Sequence, residues 1–177
     1  MTSPKDQKKG YVTAAELMER LNSDPAFVQR RQEKEQRLAK ARIAVEQASA
    51  SVLEELTRLG YPCSSVSQIV QKYCPTPDIV VDCIIKWIPK VNHDIVKEVL
   101  VRALGAAENQ FSGRVLADVY DSCSHSIGVQ FAVLNTIAMT NPTDIDDFIS
   151  RIAASEHIRK QLKGLGYKFK KQKPPPA

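Results

Sequence analysis

The sequence predicts an all-α fold, and three observations carry that expectation. Glycine is scarce, at 7 of 177 residues. No run alternates apolar and polar residues for long enough to make a strand with its hairpin turn. Instead, apolar side chains recur at helical spacing between breaks marked by Pro, Gly and Asn. Hydrophobic residues make up 43% of the chain and charged residues 25%, which suits a packed core rather than global disorder. The length fits one domain with extensions.

Residues 1–12 are polar and read as a disordered start without the apolar stretch of a secretory signal. Thr13-Ala14-Ala15-Glu16 then reads as a capping box, with Leu17, Met18 and Leu21 on the apolar side of a short helix. Asp24-Pro25 restarts the chain, Asp24 as N-cap and Pro25 at the first helical position. From Pro25 to about Leu59 neither Gly nor Pro occurs, which predicts one long helix and an N-terminal arm over residues 13–60. Charges surround its first half. Arg30, Arg31, Lys34, Arg37, Lys40 and Arg42 fit either a solvated face with interleaved glutamates or a docking surface. From Ile43 on, Val45, Ala48, Val52, Leu53, Leu56 and Leu59 form an apolar side, and Gly60 followed by Pro62 ends the helix.

Helices of roughly hairpin length follow. Ser64 or Ser65 can cap a helix carrying Val66, Ile69, Val70 and Tyr73. Asp78–Ile88 is strongly apolar, and its Trp87 is expected in the core. Further helices are expected at Asp94–Leu104, Asn109–Ser122, Ser126–Met139 and Thr143–Ser155, with a short last one at Ile158–Lys163 before Gly164. These helices pair off with a period of about 33 residues. That shift superposes Val96 on Val129, Leu100 on Val133 and Leu104 on Ile137, and likewise Val115 on Phe148, Leu116 on Ile149 and Val119 on Ile152. His93, His125 and His157 recur near the inter-helix turns at a spacing of 32.

Within Asp78–Gly105 an apolar helix is followed by Pro89-Lys90-Val91-Asn92, then Val96-Lys97, then Arg102-Ala103-Leu104-Gly105. This order resembles a HEAT repeat, and the resemblance covers roughly residues 64–156. The arm, Leu17-Met18 with Asp24-Pro25-Ala26-Phe27-Val28-Gln29-Arg30-Arg31, is similar to that of small bacterial HEAT-like proteins. The resemblance implies a short α-solenoid of stacked helical hairpins over residues 61–166. One hairpin cannot bury its own apolar face, so stacking would supply a continuous core. It also implies that the second helices line a concave side. The polar residues there, Lys97, Glu98, Arg102, Gln130 and Asn135, are the candidate partner-binding set. Lys97 equally suits an inter-repeat hydrogen bond or ion pair with the preceding polar turn.

Catalytic, cofactor and metal chemistry find no assembled motif, and the expectation is a non-enzymatic protein. Cys63, Cys74, Cys83 and Cys123 include no Cys-x-x-Cys pair and read as reduced thiols of a cytoplasmic protein, used partly as small core residues. Asp144, Asp146 and Asp147 suit a helix N-terminus, and lack the Gly and Glu of a calcium loop. Ser124-His125-Ser126 has no nucleophile elbow around it. No phosphate-cradling glycine loop occurs. HEAT-like DNA glycosylases need a carboxylate among several aromatics, whereas this chain has one Trp. No apolar run reaches the ~20 residues that span a bilayer.

The net charge of +5 is uneven. Residues 61–156 carry 7 basic and 11 acidic side chains, and residues 157–177 carry 7 basic and none acidic. A protein partner is therefore the first expectation, with the chain as a scaffold, immunity or assembly adaptor protein. The alternative is nucleic acid, bound by a basic disordered tail at 167–177 through Lys168, Lys170, Lys171 and Lys173, together with the long helix.

Overall fold

The computed structural model describes residues 12–169. Apart from Val12 and residues 167–169, the segments expected to be disordered lie outside them. The described residues are all-helical, with nine α-helices, one 3-10 turn and no strand. None of these helices is long and apolar enough to cross a membrane. The chain divides into two compact units, Met1–Ile43 and Ala44–Ala177.

The first unit holds α1 (Ala14–Asn22) and the opening turns of α2 (Pro25–Arg58). Thr13 and Glu16 form the expected capping box. The Thr13 N–H donates to Glu16 Oε2 at 2.8 Å, and the Glu16 N–H donates to Thr13 Oγ1 at 3.2 Å. The Asp24 carboxylate accepts from the Ala26 N–H at 3.0 Å. Along α2 the charges pair within the helix, as Arg31 does with Glu35 at 3.0 Å. Leu17, Met18 and Leu38 remain exposed.

The second unit begins with the rest of α2. Val52 and Leu56 are fully buried, Val45, Ala48, Leu53 and Leu59 partly so. Ile43, expected on this apolar side, is exposed. Gly60 stops the helix in the left-handed region at φ 88°. The Tyr61 N–H reaches back to the Leu56 carbonyl at 2.8 Å, and the Gly60 N–H to Thr57, which satisfies carbonyls the helix would leave open.

The remaining elements are α3 (Gln68–Lys72), α4 (Asp78–Trp87) with a 3-10 turn at Ile88–Lys90, α5 (Asp94–Leu104), α6 (Arg114–Ser122), α7 (Ile127–Thr140), α8 (Asp146–Ile152) and α9 (Glu156–Gly164). Helix α4 packs on α5, α6 on α7, and α7 on both α5 and α9, with the α5–α7 contact the most extensive. The positions related by 33 residues are buried alike in α5 and α7: Val96 and Val129, Leu100 and Val133, Leu104 and Ile137.

Several boundaries differ from the sequence expectation. Helix α3 starts at Gln68 with Ser67 at its N-cap, so neither Ser64 nor Ser65 caps it. Helix α6 starts at Arg114, not Asn109, and α8 at Asp146, not Thr143. The residues withheld from both helices bond to neighbouring loops. Thr76 pairs with Ala107, and Ser112 with Thr143, in isolated parallel bridges. The Thr76 N–H donates to the Ala106 carbonyl at 2.7 Å, and the Gly113 N–H to the Thr143 carbonyl at 2.7 Å. Asn109 donates to the Asp78 carboxylate, and Ser112 to Asp144. Asp144, at φ 53°, therefore lies before α8; only Asp146 and Asp147 occupy its first turn. Gly164 is the last residue of α9 rather than its stop, which is Gly166 at φ 89°. The histidines also hold unlike places: His93 just before α5, His125 two residues before α7, His157 inside α9.

Trp87 is half-buried rather than core. Its indole N–H donates to the Glu55 carboxylate, and Lys90 stands over the ring at 5.1 Å from the centroid. An indole needs a partner for its N–H when it leaves water, and a carboxylate at the rim supplies one. Lys86 completes the group, its ammonium 2.6 Å from Glu55 Oε1. These bonds, that from Lys86 first, hold the Glu55 carboxyl below its usual value. A carboxyl depressed on folding stabilises the fold above the ordinary carboxylate range, and that contribution is lost as pH falls through the folded-state value. Urea titrations at neutral and at strongly acidic pH check this. The midpoint of Glu55→Gln should lie below that of the parent at neutral pH, and the gap should close in acid.

Candidate functional site

The candidate partner-binding residues divide between two adjacent helices, Lys97, Glu98 and Arg102 on α5, Gln130 and Asn135 on α7. Their roles differ. Arg102 donates to Glu98 Oε1 through Nε at 3.1 Å and Nη2 at 2.8 Å, an i,i+4 pair on the outer side of α5. The Lys97 ammonium instead turns to the loop between α6 and α7, 3.6 Å from Cys123 Sγ. That contact is to the loop after α6, not to the turn that precedes α5. Gln130 is half-buried, and the Asn135 amide lies 3.4 Å from Met139 Sδ.

What surrounds Asn135 was missed by the polar reading. Ile127 is 83% exposed, Met139 64% and Phe131 40%. With Asn135 they recur every fourth residue, which places them in one line along α7. The opposite side of α7 buries Val129, Ala132, Val133, Leu134, Thr136 and Ile137 against the core. Helix α7 is thus apolar almost all round, a pattern that predicts burial on every side, and one side is open. This was the signal available in the sequence.

The packing of α5 on α7 sets the polar edge of that stripe. A Cβ built on Gly128 would lie 2.5 Å from Glu98 Oε2, so the absent side chain lets the carboxylate close over the start of α7. At the other end, a Cβ on Gly105 would meet Thr136 Oγ1 at 3.4 Å and Met139 Sδ at 3.6 Å. The Thr136 hydroxyl donates to the Val101 carbonyl at 2.9 Å and fixes the register of the two helices. The Glu98–Arg102 pair therefore flanks Ile127, Phe131 and Met139. Apolar anchors with a charged rim make up the usual anatomy of a protein-binding surface.

Among the described residues, no three His, Cys, Asp or Glu side chains are grouped to hold a metal ion. Burial pushes the Cys83 thiol up to about 11, which keeps it protonated and unreactive at neutral pH. Cys123 is also buried, Cys63 half-buried and Cys74 exposed, and all four are free thiols. Of the tail lysines, Lys168 is exposed, while Lys170, Lys171 and Lys173 lie outside the described residues. The chain matches no family model, no curated protein and no solved structure.

Proposed function

We propose that the chain is a non-enzymatic protein-binding module, a HEAT-like α-solenoid over residues 61–166 that presents the outer sides of α5 and α7 to a helix of another protein. A scaffold, immunity or assembly adaptor role in a reducing cytoplasm fits such a module. The exposed line Ile127–Phe131–Met139 beside the Glu98–Arg102 pair carries the reading. The 33-residue match of buried positions and the loop-to-loop bridges support the repeat architecture. An apolar helix face laid along α7 would cover the stripe, and the charged pair would set its direction.

Affinity capture from the native cell, with nuclease treatment, tests this. The parent chain should retain a nuclease-resistant protein partner, and Phe131→Glu should lose it by at least about 30-fold, the equivalent of about 2 kcal/mol for a central anchor. The melting temperature should stay close to that of the parent, because Phe131 lies on the open side. Partner retention by Phe131→Glu at parental strength contradicts the proposal.

A further inference from the structure

A second surface is independent of that reading. Helix α9 exposes Arg159, Lys160 and Lys163, which line an open depression of about 420 Å³ together with Ala153, Ala154 and Glu156. The chain after α9 folds back onto it. Tyr167 is buried, its ring edge-on to Phe169 at 5.1 Å between centroids, and the Arg159 guanidinium stands 5.9 Å from the Phe169 centroid. Lys168 is exposed between these two aromatics. From His157 to the last residue the sequence has seven basic side chains and no acidic one. Among the described residues that line the depression, Glu156 alone carries a carboxylate, and it lies 2.9 Å from Lys160.

We propose that this cationic surface binds the phosphodiester backbone of nucleic acid, without regard to base sequence. Two features favour a polyphosphate over the other polyanions. Among the described residues, no large hydrophobic side chain is exposed beyond Met139, so the surface offers no apolar anchor of the kind a protein interface centres on. For the same reason it offers nothing to insert into a bilayer, where basic amphipathic helices add Trp, Phe or Leu. What remains is a set of clustered cations on a folded frame, which gains affinity by releasing counterions from phosphates.

The experiment is fluorescence anisotropy of a labelled oligouridylate titrated with the full chain across a range of salt concentrations. Each single-strand phosphate contact contributes about 0.7 to the slope of log affinity against log salt. The triple variant Lys160→Gln, Lys163→Gln, Lys168→Gln should therefore flatten that slope by about two units. All three side chains are exposed, so helicity by circular dichroism should be unchanged. Glu156→Gln, which frees Lys160, should tighten binding and steepen the slope. The proposal is overturned if binding is absent or insensitive to salt, if the slope is the same in the triple variant, or if Glu156→Gln does not strengthen binding. Equal affinity for polyglutamate or for phosphatidylserine vesicles also overturns it, in favour of an acidic protein or a membrane surface.

Discussion

Replacing Leu100 by alanine lowers the stability of the second unit by about 2–5 kcal/mol. Leu100 sits in the middle of α5 and is wholly buried. Its helix packs on α4 on one side and on α7 on the other, so the cavity opens where the two helix pairs share their core. Neither neighbour can collapse into it freely. The loops at the helix ends are tied by the Thr76–Ala107 and Ser112–Thr143 bridges, and the Thr136 hydroxyl holds α7 to the Val101 carbonyl. For a chain of this size the melting temperature should fall by roughly 5–20 °C. Ile95→Ala on the same helix is the control: Ile95 is exposed, and its loss should change stability by no more than about 0.5 kcal/mol. Thermal and urea unfolding of the two variants would show whether α5 is central or peripheral to the fold.

A methyl group at Gly113 should cost about 1–3 kcal/mol by overpacking. The Cβ would meet Ile145 Cδ1 at 2.8 Å and the Thr143 carbonyl oxygen at 3.0 Å, the same oxygen that accepts from the Gly113 N–H. The obstacle is backbone and buried side chain, so relief requires the loops before α6 and α8 to part. The φ of Gly113 is −75°, which any residue adopts, and the cost is therefore steric rather than torsional. Gly164→Ala gives the opposite sign. No atom lies within 4 Å of its added Cβ, and alanine at that place in α9 should stabilise by about 0.5–1 kcal/mol. If Gly113→Ala proves as harmless as Gly164→Ala, the loop bridges do not hold the helix pairs together.

These loops also show where sequence reasoning stopped. The capping box at Thr13, the Asp24-Pro25 restart and the Gly60 stop are local devices, and each stands where its residues place it. The buried sides of α5 and α7 follow from the helical spacing of apolar residues and from their common shift. The starts of α6 and α8 do not. Asn109–Gly113 and Thr143–Ile145 have compositions that suit the first turn of a helix, but their backbone groups bond across the fold, as the Gly113 N–H does to the Thr143 carbonyl, and the Asn109 side chain reaches Asp78 at a separation of 31 residues. Nothing local marks such a partner.

The site shows the same limit. Spacing picked out Glu98, Arg102 and Asn135 as polar positions of α5 and α7, where Arg102 bonds to Glu98 and the Asn135 amide lies against Met139. The apolar residues at the centre of the site were not legible as exposed. Periodicity reports which side chains are apolar; whether Ile127, Phe131 and Met139 find a neighbour depends on what packs on α7. Trp87 is the converse case. Its setting in an apolar helix suggested core, and the carboxylate that draws it to the rim comes from Glu55 on α2.

The central claim is that the open side of α7 docks another protein, and site-specific photocrosslinking in the native cell tests it most directly. A photoreactive residue at Phe131 should give a discrete adduct with one other protein. The same residue at Asp118, exposed on α6, should not give that adduct. Changing Ile127 and Met139 to serine should abolish it. An adduct that forms equally from both positions, or none from Phe131 while the chain is folded and abundant, would contradict the account.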